Sequence, residues 1–187
     1  MPVTARSAGR AGCAVLRISG PEAHQAAEAL AVNLPPVGRF GLRTLRTSSG
    51  DVIDQALVLT FAAPNSFTGE DIVEFQVHGS PAVIKLLLSS LIDTGDARLA
   101  KPGEFAQRAL ENERLSLTEV EGLAALIDAE TEAQRKVAQR TLDGNLRDAA
   151  EQWRSKLINA LALLDARVDF ADDDVPEDVS REVESLI

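Results

Sequence analysis

The sequence predicts an α+β fold: a mixed-sheet domain over residues 1–114, then an all-helical region over residues 115–187. Strand-like and helix-like patterns alternate at short spacing up to Arg114, which makes a compact domain of packed sheet and helices. Beyond Arg114 the apolar residues step only by threes and fours, the helical period. The charge changes at the same place: 11 basic and 12 acidic residues up to Arg114, then 8 basic and 17 acidic from Leu115, within a formal net charge of −10. An acidic second half is a poor surface for nucleic acid. At 187 residues roughly 70% of the unfolded surface can be buried, so no metal or disulfide staple is needed. The single cysteine, Cys13, has no internal partner and reads as a small buried hydrophobe. No apolar run reaches the roughly 18 residues of a membrane span. The start lacks a charged-then-apolar secretion signal, which points to the cytoplasm.

The elements follow in order. Gly9-Arg10-Ala11-Gly12 reads as a flexible loop, and Cys13 to Ile18 as a buried strand with Cys13, Val15 and Arg17 on one face. An arginine inside such a strand requires an anionic partner. Ser19-Gly20-Pro21-Glu22 reads as a helix start, with a cap, a proline at the first helical position and an acid in the first turn; Pro35-Pro36 stops the helix near Val32. A strand over 39–46, a turn at 48–51 and an apolar strand over 55–61 follow. Ser80-Pro81 opens a helix whose apolar residues nearly encircle it, so that it is buried on most sides, and Gly95 ends it. A short edge strand at 98–100 leads to a short helix entered through Lys101-Pro102-Gly103 and ending near Asn112. Ser116-Leu-Thr-Glu119 fits a capping box opening a helix to about Glu130. From Thr131 to about Val168 the spacing predicts one long amphipathic helix, despite Gly144. After Asp172-Asp173-Asp174 and Pro176 another helix begins, which makes the helical bundle incomplete and the chain a fragment.

The stretch Pro64 to Gly79 organises the rest. It opens as a turn, with Pro64, Asn65, Ser66 and Gly69, and becomes a strand. Ile72, Glu74, Gln76 and His78 fall on one face and Val73, Phe75 and Val77 on the other. A carboxylate among apolar neighbours needs hydrogen-bond donors, from the protein or from a ligand. On the residues alone both readings stand: a structural network, with Arg17 and Glu74 paired to each other, or a ligand site. A lone histidine at a strand end, His78, reads as a hydrogen-bonded structural residue.

Several of these segments resemble the N-terminal part of the tRNA modification GTPase family (MnmE, also called TrmE). They are Gly9-Arg-Ala-Gly12, Leu16-Arg-Ile-Ser-Gly20, Pro64-Asn-Ser-Phe-Thr-Gly-Glu-Asp71, Glu74-Phe-Gln-Val-His-Gly79, Lys101-Pro-Gly-Glu-Phe105 and Leu126-Ile-Asp-Ala129. Their order and spacing match across nearly the whole chain. The resemblance implies a folate-binding domain related to the aminomethyltransferases, which also dimerises, followed by a helical domain carrying an inserted GTPase domain. It implies that the full enzyme, a homodimer working with a FAD-dependent MnmG-type partner, modifies the wobble uridine of tRNA with a tetrahydrofolate one-carbon unit (5-formyl- or methylene-tetrahydrofolate). GTP, Mg and K would serve only the full-length protein. The family's folate-contacting positions fall on Arg17, Glu74 and Arg114. A pterin presents an exocyclic amine and a ring N–H side by side, and one carboxylate accepts both. This gives Glu74 the pterin edge, with Arg17 and Arg114 as partners of a carbonyl or of the glutamyl tail.

The chain departs from the family pattern in three places. Position 114 is Arg where the family usually has Lys, and the opening strand reads as cut short. No G-x-x-x-x-G-K-[S/T] occurs, so the chain has no phosphate-cradling loop and is not a GTPase by itself. No residue set reads as catalytic or metal-binding. The rivals are a free-standing folate-dependent one-carbon transferase and a structural dimerisation module with an empty pocket.

Overall fold

Alternating apolar and polar residues make a chain that pleats into a sheet with one greasy face, and helices with a buried stripe then cover that face. A computed structural model describes residues 1–6, 11–95 and 97–169 of the 187. Strands β1 (Pro2–Arg6), β2 (Ala11–Ser19), β3 (Phe40–Arg46), β4 (Val52–Phe61), β5 (Ile72–Gly79) and β6 (Arg98–Leu99) form one six-stranded sheet in the order β3-β4-β5-β2-β1-β6. All neighbours are antiparallel except β6, which runs parallel to β1. The chain divides into two compact units, one ending at Leu115 and the other beginning at Ser116.

In the first unit, helices α1 (Ala23–Glu28) and α2 (Pro81–Ile92) lie on one face of the sheet. Leu16, Ile18, Val58, Val73 and Phe75 project from the sheet into the core, where they join one cluster with Ala27, Leu30, Leu87 and Leu91. Each side chain the size of Leu87 or Phe75 contributes about 1.5–3 kcal/mol on burial. Helix α3 (Glu104–Glu111) follows β6.

Several expectations are corrected. The opening strand is present, as β1. β2 starts at Ala11, so that Ala11 and Gly12 belong to a strand; Gly9 and Arg10 lie outside the described residues. Cys13 is exposed, because the β2–β5 register shifts between Ala11 and Ala14 and the residue sits in that irregularity. α1 is six residues long, capped at Glu22 rather than Ser19. The Ser19 hydroxyl is engaged elsewhere, against Thr68 and Glu70, and cannot cap the helix. α2 is apolar all round, yet Leu86 and Ile92 are exposed while Leu87 and Leu91 are fully buried.

The second unit contains α4 (Leu117–Ile127), α5 (Glu132–Leu142) and α6 (Asn145–Asp169). The capping box at Ser116 and Glu119 forms as the sequence indicates, and a second one forms at Thr131 and Gln134. The long helix expected over 131–168 is two helices. Gly144 takes φ +83°, a left-handed conformation that ends α5 as glycine commonly ends helices. The acidic run at 172–174 and the helix expected after Pro176 lie outside the described residues. α4 and α5 approach backbone to backbone: a β-carbon on Gly122 would stand 2.6 Å from the Leu142 nitrogen. Gly122→Val forces the two helices apart. It costs about 1–3 kcal/mol by overpacking and lowers the thermal midpoint of the helical unit by circular dichroism; an unchanged midpoint contradicts the close approach.

Candidate functional site

The face of the sheet opposite α1 and α2 carries the polar row that the alternation of β5 requires. Arg17 of β2 lies directly across from Glu74 of β5, and Leu59 of β4 flanks Glu74 on its other side. The Arg17 Nε–H donates to Glu74 Oε1 at 2.6 Å, and Nη2 approaches the same oxygen at 2.5 Å. The arginine therefore meets the requirement for an anionic partner within the sheet. Both contacts fall on Oε1; among the described residues Glu74 Oε2 accepts no hydrogen bond and Arg17 Nη1 donates none. The Arg17 side chain is one-third exposed, Glu74 less.

Two phenylalanines flank the arginine, their ring centroids 5.6 Å (Phe67) and 5.7 Å (Phe105) from its guanidinium carbon, within cation–π range. Phe67 belongs to the 64–71 turn and Phe105 to the first turn of α3, so two separate segments converge on one side chain.

Arg114 makes no ion pair with either member of the couple. Its backbone N–H donates to the Ala109 carbonyl just after α3, and its side-chain stem lies against Gly69, where a β-carbon would stand 3.1 Å from Arg114 Cγ. Its exposed guanidinium has no hydrogen-bond partner among the described residues. The structure thus joins Arg17 to Glu74, and sets Arg114 beside the same 64–71 turn that carries Phe67. His78 is hydrogen-bonded as expected, Nδ1 to Asp54 Oδ1 at 2.8 Å, while its backbone N–H donates to Asp54 Oδ2. Burial works against the charged form of Asp54, but the His78 backbone and ring, with the Gln55 N–H, more than offset it and hold the carboxyl below its ordinary range.

Behind the phenylalanines runs a polar chain that sequence reading missed. Arg98 pairs with Glu104, Arg108 bridges Glu104 and Glu70, and Glu70 accepts from the Ser19 hydroxyl. Ser19 and Thr68 are fully buried with their hydroxyl oxygens 2.6 Å apart. The Glu104/Arg108 spacing of four residues on one helix was the available signal; nothing local in the sequence ties Arg108 to Glu70, which stands 38 residues away.

A groove of about 620 Å³ lies elsewhere, between α4 and α5, lined mainly by small apolar side chains such as Gly122, Ala125 and Ala129. It offers a polar ligand few orienting groups, so the chemistry points to the sheet face.

A mixed sheet with this polar couple, followed by a separate helical unit, matches two family models in tandem. Residues 2–114 match the N-terminus of the GTP-binding protein TrmE, and residues 117–187 match the MnmE helical domain. The chain belongs to the tRNA modification GTPase family and comprises its N-terminal and helical parts. It is 59% identical over 96% of its length to the tRNA modification GTPase MnmE of Roseobacter denitrificans, and 57% identical over 98% to that of Dinoroseobacter shibae. Against the MnmE of Caulobacter vibrioides the identity is 50% over 94% of the chain. The chain spans about two fifths of the length of these relatives, 42%, 43% and 39% respectively. No described helix is long and apolar enough to cross a membrane.

Arg98 above all, then the Lys101 N–H and Arg108, holds the Glu104 carboxyl down at about 2 from its ordinary 4.5, against the opposing effect of burial. A carboxyl depressed in the folded state stabilises the fold above its unfolded value and loses that contribution as pH falls through the folded one. The stability difference between the parent chain and Glu104→Gln therefore narrows as pH is lowered from about 4.5 to about 2, read as thermal midpoints. A gap that stays constant over that window contradicts the ion-paired assignment.

Proposed function

We propose that the chain is the tetrahydrofolate-binding and dimerising portion of a tRNA modification GTPase that acts in the cytoplasm at the wobble uridine of tRNA. Glu74 holds the pterin edge, and Arg17 and Arg114 hold a ring carbonyl or the carboxylates of the glutamyl tail. The observation that carries this reading is the incomplete pairing of Arg17 and Glu74. Oε2 of the carboxylate and Nη1 of the guanidinium have no hydrogen-bond partner among the described residues and are left for a ligand. Two aromatic rings stand beside them.

The residues present fit the ligand. A pterin offers two adjacent donors and needs both oxygens of one carboxylate, so Arg17 must share or release Oε1 when the vitamin binds. Its planar, permanently charged head then suits a carbonyl or carboxylate acceptor. The two phenyl rings that now flank a flat guanidinium suit a flat heterocycle equally. Arg114, charged and exposed, supplies a second cation; it keeps the charge of the family's usual Lys and adds a fork of donors. The bound folate supplies the one-carbon unit, and GTP with its Mg and K ions, a FAD-dependent MnmG-type partner and tRNA belong to the full-length enzyme. For dimerisation, the exposed Phe40, Leu42 and Val52 on the β3–β4 margin of the sheet provide apolar surface for a second copy.

A second reading, a structural module with no ligand, is favoured by one observation: Arg17 and Glu74 already satisfy part of each other's charge. Calorimetry with 5-formyl-tetrahydrofolate separates the two. The parent chain binds, and Glu74→Ala weakens binding by about 2 kcal/mol or more, the worth of charge-assisted bonds, about thirtyfold in Kd, with an unchanged circular dichroism spectrum. No heat from the parent chain supports the structural module, and equal affinity in Glu74→Ala removes the pterin from that carboxylate.

A further inference from the structure

Phe67 and Phe105 come from different segments, and their backbones need a tie if both are to stand beside one guanidinium. The ties are polar. Arg108 Nη1 donates to both oxygens of Glu70, at 2.8 and 3.0 Å, joining α3 to the 64–71 turn. Arg108 Nη2 reaches Glu104 Oε1 at 3.3 Å, and Arg98 meets both oxygens of Glu104 at 2.5 and 2.9 Å, joining α3 to β6. Glu70 Oε2 accepts from the Ser19 hydroxyl at 2.8 Å, joining the turn to the end of β2 two residues beyond Arg17. Asn112 Nδ2 donates to the Thr68 carbonyl at 2.7 Å, a second link between turn and helix end.

We propose that the alternating row Arg98–Glu104–Arg108–Glu70 is a positioning device that fixes where Phe67 and Phe105 stand beside Arg17 and thereby sets the affinity of the site they flank; this rests on the folate reading above. No member of the row makes an ion pair or hydrogen bond with Arg17 or Glu74. These are positioning residues, acting through the segments that carry the rings. The row alternates in sign and sums to zero, so its charges compensate one another where they are withdrawn from water. Arg108 is committed to this bridging at a cost: its Nε is buried and finds no acceptor. A lysine at 108 would remove that orphaned donor and keep the charge, yet its single ammonium lacks the fork that spans two carboxylates. If charge alone mattered, Arg108→Lys would be harmless.

The test uses the full chain with two readouts, Kd for 5-formyl-tetrahydrofolate and amide hydrogen exchange over residues 64–71 and 104–112, with the interior of β4 as reference. In Glu70→Gln and in Arg108→Lys, exchange accelerates in both segments but not in β4. The Kd rises about tenfold, as expected for misplacement rather than loss of a contact group. Asn112→Ala, which loses one neutral bond, gives a smaller change in the same segments and covers the case in which a charge variant does not fold. Unchanged exchange in the variants overturns the proposal whatever the ligand does. A weaker Kd with unchanged exchange also overturns it, since the row would then act on the ligand directly. Should the parent chain bind no folate, the folate reading fails by itself, and faster exchange in both segments still upholds the row as what holds the two rings in place.

Discussion

An arginine and a glutamate face each other across two central strands on a sheet surface that also carries Val15, Leu57, Leu59 and Gln76, and the rest of the first unit is arranged around that pair. Each charge is easier to hold there with the other beside it, since an ion among apolar neighbours is costly to desolvate without a partner. Strand register brings them together: Arg17 opposite Glu74 is fixed by the same β2–β5 pairing that turns Leu16, Ile18, Val73 and Phe75 toward α1 and α2. A slip of one residue would bury both charges in the core and expose the core residues, so the hydrophobic effect on one face enforces the ion pair on the other.

The sheet, the pair of helices on its buried face and the two capping boxes' first member were legible because each has a local signature. Alternation placed β5 and assigned Glu74 to the face opposite Phe75, and Ser80-Pro81 announced α2. The misses have different causes, only some of them distant in sequence. Ser19 looked like a helix cap, but Thr68 and Glu70 claim its hydroxyl, and α1 is capped at Glu22 instead. Cys13 read as a small buried hydrophobe, and a register irregularity in β2 exposes it. Gly144 was read through as part of one long helix, although its left-handed φ divides α5 from α6. At the site, Arg17 and Glu74 stood out as charges in greasy strands. Phe67 and Phe105 did not, because an aromatic residue in a turn or a short helix carries no mark of what it will touch.

The pair has two consequences that pull in different directions. It stabilises the empty sheet, and it occupies one oxygen that a pterin would need. On the proposed reading, binding a folate would trade one charge-assisted contact for others, and the net affinity would depend on how well the surroundings are already placed. On that reading the ion row that ties α3 to the 64–71 turn would matter physically: rings already held in place would not need ordering when a ligand arrived. In the helical unit, Trp153, Leu157 and Leu161 along α6 are exposed.

The most direct measurement is a crystal structure of the chain soaked with 5-formyl-tetrahydrofolate. The account predicts the pteridine beside Phe67 and Phe105, with both Glu74 oxygens on its amine and ring N–H and with Arg17 moved off Oε1. A pteridine bound elsewhere, or one lying at this face while Arg17 still clasps Oε1 and Glu74 touches no ligand atom, would contradict it.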